Sequence, residues 1–87
     1  MNITPEFAEA VKTAGQAIGA GLCMGIGSIA PALGEGNAVA KALEGMARQP
    51  EAANDLRTNM IIGCAVTETT GIYALVISFL ILFAVNV

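Results

Sequence analysis

Long apolar stretches separated by short polar segments dominate this 87-residue sequence. Positions 13 to 34 carry no charged residue, and positions 60 to 87 carry one, Glu68. A helix that crosses a bilayer needs about 20 mostly apolar residues, so each stretch is long enough to span a membrane. The pattern therefore predicts two spanning helices joined by a polar turn.

The turn is expected at the polar segment around Pro50. Proline disfavours the helical conformation in the residue before it, here Gln49. The prediction is an all-α membrane protein, a two-transmembrane-helix hairpin that forms one domain over residues 1–87. Its expected parts are a helix over about 5–46, a polar loop over about 47–51 and a second helix over about 52–86.

Small residues crowd the first span and predict close helix contacts. At about 100° per residue, they form two stripes on roughly opposite sides, one of Gly15, Gly19, Cys23, Gly27 and Gly34, the other of Ala14, Ala17, Gly21 and Gly25. Small residues let helix backbones approach closely in a bilayer. Two such flanks allow head-to-tail contacts with a like neighbour on each side, which close into a homo-oligomeric ring. A generic small-residue spanning helix is the alternative.

Composition supports a membrane location and excludes one class of partner. Apolar residues make up 55% of the chain and charged residues 13%, whereas soluble domains carry about 25% charged residues. The net charge of −3, with no basic patch, argues against nucleic acid. Lys41, Arg48 and Arg57 flank the turn, so the positive-inside rule places the loop in the cytoplasm and both termini outside.

The positions of the two cysteines argue against a disulfide, and the absence of histidine argues against a soft-metal site. Cys23 and Cys64 lie about 20 Å apart in depth if the hairpin turns near residue 50, which is too far for a disulfide. The sequence contains no histidine, so a zinc site of the usual kind is not expected. We interpret both cysteines as small buried side chains.

Two carboxylates are the candidate chemistry of the chain. A charge at the centre of a spanning helix costs about 2.5–3.5 kcal/mol on insertion scales, so Glu68 is expected to serve a function. Glu35 falls at a similar depth if the hairpin turns close to Pro50. Two buried carboxylates cannot both stay ionised without a cation between them. A structural hydrogen-bonded Glu–Glu pair without transport is the alternative.

Hydroxyl groups beside Glu68 point to the kind of cation. Their positions are Thr67, Thr69, Thr70 and Tyr73. Oxygen ligands of this kind suit Na⁺ or a proton rather than a soft metal. We therefore expect an ion site at Glu68 and Glu35, with no organic cofactor.

Three segments of the sequence together resemble a known family. The small-residue first helix, the loop Ala47-Arg48-Gln49-Pro50-Glu51-Ala52 and the run Val66-Thr67-Glu68-Thr69-Thr70-Gly71-Ile72-Tyr73 resemble the c subunits of F-type ATP synthases, over nearly the whole chain. The Glu-Thr-Thr-Gly-Ile-Tyr string is similar to that of the sodium-translocating branch. The resemblance implies a proteolipid of the bacterial cytoplasmic (inner) membrane that assembles into a rotor ring and is not itself catalytic.

The resemblance also implies roles for individual residues. Glu68 is then the ion-carrying carboxylate, with oxygens from the Thr69 side chain and the Val66 backbone. Tyr73 holds Glu68 by a hydrogen bond, and Thr70 positions a bound water. The site lies between neighbouring subunits, and the loop of Arg48, Gln49 and Pro50 contacts the central stalk.

One position departs from the sodium-type pattern. Members of that branch usually carry Gln where this chain has Glu35, so the sequence resembles a less common two-carboxylate version. We expect Na⁺ together with one retained proton, and proton coupling is the alternative. The implied partners are the a subunit of the stator, the gamma and epsilon subunits of the central stalk, and membrane lipid. A structural membrane oligomer or holin-like pore is less favoured, because it does not need Glu68, Thr69 and Tyr73 in this order.

Overall fold

The computed structural model describes residues 4–84, which form one helical hairpin. The first arm consists of α1 (Pro5–Gly27) and α2 (Ile29–Arg48). A 3₁₀ turn (Pro50–Ala52) leads into the second arm, which consists of α3 (Ala53–Phe79) and a π-helical segment (Leu80–Ala84). The predicted all-α hairpin is confirmed. The predicted end of the second helix near residue 86 lies outside the described residues.

Both arms are long and apolar enough to cross a membrane, by length and composition. The first arm covers 44 residues and the second 35, and the hairpin measures 71 × 20 × 10 Å. The hydrocarbon core of a bilayer is about 30 Å thick. The hairpin is therefore much longer than the apolar layer, and its polar ends extend into the interfaces and beyond.

The ends of the first arm follow from local chemistry. The Thr4 hydroxyl accepts a hydrogen bond from the Phe7 N–H at 3.1 Å, which satisfies one of the backbone donors that a helix start leaves free. Pro5 follows at the first helical position, where its missing N–H has no cost. At the other end, Gln49 leaves the helical conformation with φ −133° and ψ 76°, as expected before Pro50.

The first arm is interrupted at Ser28. α1 ends at Gly27 and α2 begins at Ile29. Pro31 has no N–H to donate to the Gly27 carbonyl, so the regular helical bond is missing at this point. The Ser28 hydroxyl instead donates to the Gly25 carbonyl at 3.3 Å. Two helical segments, rather than one continuous helix, therefore make up this arm.

The two arms pack along a seam of small residues. A Cβ atom added to Gly27 would lie 2.8 Å from the Ala74 Cβ, and one added to Gly34 would lie 2.9 Å from the Thr67 Cγ2. Such distances are shorter than real Cβ contacts, so glycine is needed at both positions. The seam is formed by Gly19, Ala20, Cys23, Gly27, Pro31 and Gly34 from the first arm and Thr67, Gly71, Ala74, Ser78 and Ile81 from the second.

This seam corrects one interpretation of the two small stripes. The stripe that contains Gly19, Gly27 and Gly34 was expected to meet a neighbouring chain, but it packs against the second arm of its own chain. Close approach within a hairpin requires small residues as much as close approach between chains does. The other stripe is exposed at Ala14, Ala17, Gly21 and Gly25.

Little of the hairpin is buried, and its large apolar side chains point outward. The buried residues of the described chain are Ala20, Pro31, Ala42, Gly71 and Ser78. Large apolar side chains remain exposed along both arms, including Leu33 and Phe83 at 69% and 80%. Exposed apolar surface of this extent indicates contact with lipid or with further chains.

Candidate ion site

A pair of carboxyl groups lies inside the seam, where both arms contribute one glutamate. Glu35 follows Gly34 on α2, and Glu68 follows Thr67 on α3. Because Gly34 and Thr67 are in direct contact, the two glutamates lie at the same depth. Their side chains are close enough to interact with each other, and both are half-buried. The predicted common depth of Glu35 and Glu68 is therefore confirmed.

The proximity of these groups makes a shared proton chemically reasonable. An ionised carboxylate only accepts hydrogen bonds, and a protonated one can also donate. A single proton between Glu35 and Glu68, which we call the carboxyl pair, would join them by a hydrogen bond. With that proton the carboxyl pair would carry one negative charge, and one monovalent cation would neutralise it. The geometry is thus suited to bind either a single cation or a second proton.

Gly71 lies beside the Glu68 carboxyl, and Pro31 lies close to Gly71. Both are buried, and they face each other across the seam. The Glu68 Oε1 atom lies where a side chain on Gly71 would begin. From the sequence, Gly71 has no predicted role of its own. Residues three apart share a helix face, so a glycine three positions after Glu68 could have indicated a residue next to its carboxyl group.

The other predicted ligands lie elsewhere on α3. Val66 and Tyr73 are 68% and 65% exposed, and Thr69 and Thr70 are exposed as well. The Thr69 hydroxyl donates to the Ala65 carbonyl at 3.4 Å, and the Thr70 hydroxyl donates to the Thr67 carbonyl at 3.2 Å. We call the set Val66, Thr69, Thr70 and Tyr73 the outer face. Within one chain the structure does not bring the outer face together with the carboxyl pair.

The reason for this separation is helical geometry. Successive residues turn by about 100° around a helix, so Thr69 and Tyr73 lie well around the helix from Glu68. Thr67 also differs from the prediction, because its methyl group packs against Gly34. A site that uses both the carboxyl pair and the outer face therefore requires a second chain.

The turn between the arms presents the predicted contact loop. Arg48, Gln49 and Pro50 are all exposed. Arg48 Nη2 donates to Glu44 Oε1 at 2.6 Å, but an exposed pair of this kind contributes little to stability. The loop is thus accessible to a partner at one end of the hairpin.

Two further polar side chains cross the seam on the side away from the turn. The Ser78 hydroxyl lies 2.8 Å from the Ala74 carbonyl and 3.2 Å from the Ala20 carbonyl. The Cys23 Sγ lies 3.5 Å from the Ala74 carbonyl. Cys23 and Cys64 are both free thiols. The acceptor in the first arm makes Ser78 a link between the arms.

Comparisons with known proteins agree with this architecture. The family model of the ATP synthase C subunit matches residues 18–81. An ATP synthase c subunit from Thermotoga maritima is 51% identical over 80 residues, which are 92% of this chain and 94% of the relative. The protein of the same name from Petrotoga mobilis is 52% identical over 69 residues, covering 79% and 72%. Its counterpart from Natranaerobius thermophilus is 50% identical over 76 residues, covering 87% of both chains.

Proposed function

The chain belongs to the family of ATP synthase c subunits, and from this membership we propose that it carries Na⁺ through the membrane by binding it at Glu68 and Glu35. The observation that supports this most is the carboxyl pair, whose two glutamates come from both arms and lie at the same depth. A pair with one shared proton has a single negative charge to offer, and a single Na⁺ balances it.

Family membership establishes the general role of the chain. It is a rotor-ring subunit of the membrane sector of an F-type ATP synthase. It is an all-α membrane hairpin that translocates ions and catalyses no reaction itself, although the complete complex is an enzyme. The proposal adds the identity of the ion, the residues that hold it and the details of its path.

Neighbouring chains complete the proposed site. The outer face carries the oxygens of Thr69, Tyr73 and the Val66 backbone, which suit a hard cation. In a ring, this face meets the adjacent hairpin instead of lipid, and its oxygens supplement those of the carboxyl pair. Tyr73 then holds Glu68 by a hydrogen bond, and Thr70 positions a water.

Charge neutrality explains how the loaded site can travel. An ion enters through a half-channel in the stator's a subunit and binds at Glu68. The loaded site has no net charge, so it can face membrane lipid while the ring turns, and the ion leaves through a second half-channel. A basic residue of the stator pairs with the emptied Glu68. Each monovalent ion contributes about 2.3 kcal/mol per 100 mV, so several ions pass for each ATP.

The orientation follows from the charges at the turn. Lys41, Arg48 and Arg57 support a cytoplasmic loop with both termini outside, in the bacterial inner membrane. The exposed loop of Arg48, Gln49 and Pro50 then contacts the gamma and epsilon subunits of the central stalk, so that rotation of the ring is transmitted to the catalytic part.

Proton coupling is the second candidate function. If Glu35 and Glu68 share one proton, a second proton would neutralise the carboxyl pair as well as Na⁺ does. The hydroxyl groups of the outer face can serve either ion.

Carbodiimide labelling of the purified complex tests the proposal, because the reagent attacks protonated carboxyl groups. We expect one glutamate per chain, Glu68, to react at low pH, and we expect added Na⁺ to slow the reaction by displacing its proton. Choline chloride at equal ionic strength is the control. Labelling that ignores Na⁺ over the whole concentration range would exclude the sodium version and support proton coupling. Equal labelling of many carboxylates without loss of coupling would exclude both.

A further inference from the structure

Gly71 is one of five buried residues in the described chain, and its surroundings are unusual. A Cβ atom added there would lie 2.9 Å from the Glu68 Oε1, 3.4 Å from the Glu68 Cδ and 3.5 Å from the Pro31 Cγ. Real Cβ atoms essentially never show contacts below 3.0 Å. The Glu68 carboxyl group therefore occupies the volume that any side chain at position 71 would take, with Pro31 on the opposite side.

We propose that Gly71 is a positioning residue of the ion site: its missing side chain lets the Glu68 carboxyl turn into the seam and pair with Glu35. The consequence for transport rests on the proposed ion-carrying role of Glu68. With a side chain at position 71, the Glu68 carboxyl must shift away from this position, and we infer that the shift disturbs its pairing with Glu35.

Two other seam glycines show why this is more than close packing. At Gly27 the nearest atom to an added Cβ is the Ala74 Cβ, and at Gly34 it is the Thr67 Cγ2. These atoms belong to short side chains held close to the backbone, so an added methyl group pushes the arms apart. At Gly71 the nearest atom is the tip of a flexible side chain. The same methyl group therefore moves a carboxyl group and leaves the seam in place.

The test compares Gly71→Ala with Gly63→Ala in the intact complex. Gly63 lies on the same helix, and an added Cβ there meets no atom of the chain within 4 Å. For Gly71→Ala we expect the Na⁺ concentration that halves carbodiimide labelling to rise about tenfold or more, the effect of losing one hydrogen bond to a charged group. Gly63→Ala should keep the wild-type value, and both variants should form rings.

Infrared spectroscopy of the purified ring gives a second readout, which a purely structural role would not change. The carbonyl stretch of the protonated carboxyl should move to higher wavenumber in Gly71→Ala, because its hydrogen bond is lost. An unchanged band in a correctly assembled ring would overturn the proposal. This readout needs no Na⁺, so it tests the position of Glu68 even if labelling excludes sodium binding.

If Gly71→Ala assembles poorly, the same substitution made in a Glu68→Asp variant provides a second test. In Glu68→Asp the carboxyl is one methylene shorter and does not reach over position 71. Adding Gly71→Ala to Glu68→Asp should therefore change neither assembly nor the infrared band. Loss of assembly in this background too would mean that Gly71 serves packing alone, and the proposal would be wrong.

Discussion

The seam and the outer face of α3 use the same helix in opposite ways. Along the seam, small residues bring two backbones together, and the polar groups there find partners within the chain: Glu68 pairs with Glu35, and Ser78 reaches the Ala20 carbonyl. On the outer face, the Thr69 and Thr70 hydroxyls bond only carbonyls of their own helix, and Tyr73 is 65% exposed.

This difference separates what one chain can do from what the assembly must do. The carboxyl pair is formed by a single hairpin, so the approach of Glu35 to Glu68 does not depend on a neighbour. The proposed function gives the oxygens of the outer face a role only when a second hairpin approaches. Substitutions on the seam should therefore act on each chain, and substitutions on the outer face should act only in the ring.

The largest effect is expected at Glu68 itself. Glu68→Gln removes the only charge of the second span, so ion-driven ATP synthesis in proteoliposomes should fall to background. Glu35→Gln should retain measurable synthesis, because the amide oxygen still faces Glu68. Equal loss in both variants would contradict the assignment of Glu68 as the carrier and Glu35 as its partner.

A packing change at the seam should come next. Gly27→Ala places a methyl group against Ala74, and overpacking of this kind typically costs about 1–3 kcal/mol. We expect a lower melting temperature of the detergent-solubilised protein by circular dichroism. Gly21→Ala is the control in the monomeric hairpin, since an added Cβ at Gly21 meets nothing within 4 Å. Equal melting of the two variants would argue against the close contact.

A smaller effect is expected at the outer face. Thr69→Val removes a hydroxyl without much change in volume, and one hydrogen bond is worth about 0.5–1.5 kcal/mol. We expect weaker Na⁺ protection against carbodiimide in the ring and unchanged melting of the monomer. A loss of monomer stability comparable to that of Gly27→Ala would show that Thr69 belongs to the seam.

The smallest effect is expected at Ser78. Hydrogen bonds between membrane helices average about 0.6 kcal/mol, so Ser78→Ala should lower the melting temperature slightly and leave ion coupling intact. The substitution removes both contacts of the hydroxyl, to Ala74 in its own helix at 2.8 Å and to Ala20 in the first arm at 3.2 Å, and only the second of these joins the arms. A strong defect in transport would place Ser78 in the ion path instead.

The sequence predicted well which residues of the two arms lie at the same depth, because depth follows from the number of residues between each position and the turn. The charge-free stretches indicated the two arms, and Pro50 fixed the turn, which brought Glu35 and Glu68 to one level. The angular positions of the small residues around the first helix also followed from helical periodicity. Periodicity does not say which neighbour a face meets, so the stripe that contains Gly27 was assigned to another chain although it packs against its own.

Other features could not be read from the sequence, since they depend on side-chain direction. Nothing in the pattern shows that the Glu68 carboxyl lies over Gly71, or that Ser78 reaches across the seam. The interruption at Ser28 was only partly predictable. Pro31 predicts a free carbonyl at Gly27, but it does not predict that one helix ends at Gly27 and another begins at Ile29. The proposed ion site also uses residues of the outer face, and the contacts that the proposal gives them lie in a neighbouring chain.

The position of Tyr73 has an optical consequence. It is the single tyrosine of the chain, which contains no tryptophan, so near-ultraviolet fluorescence of the ring comes from one site in each hairpin. That site lies on the outer face, between one and two helical turns from Glu68. Under the proposed function, ring closure and ion binding should both alter the surroundings of this phenol. The chain thus contains its own fluorescent probe, with which the proposed assembly and loading can be followed in real time without any added dye.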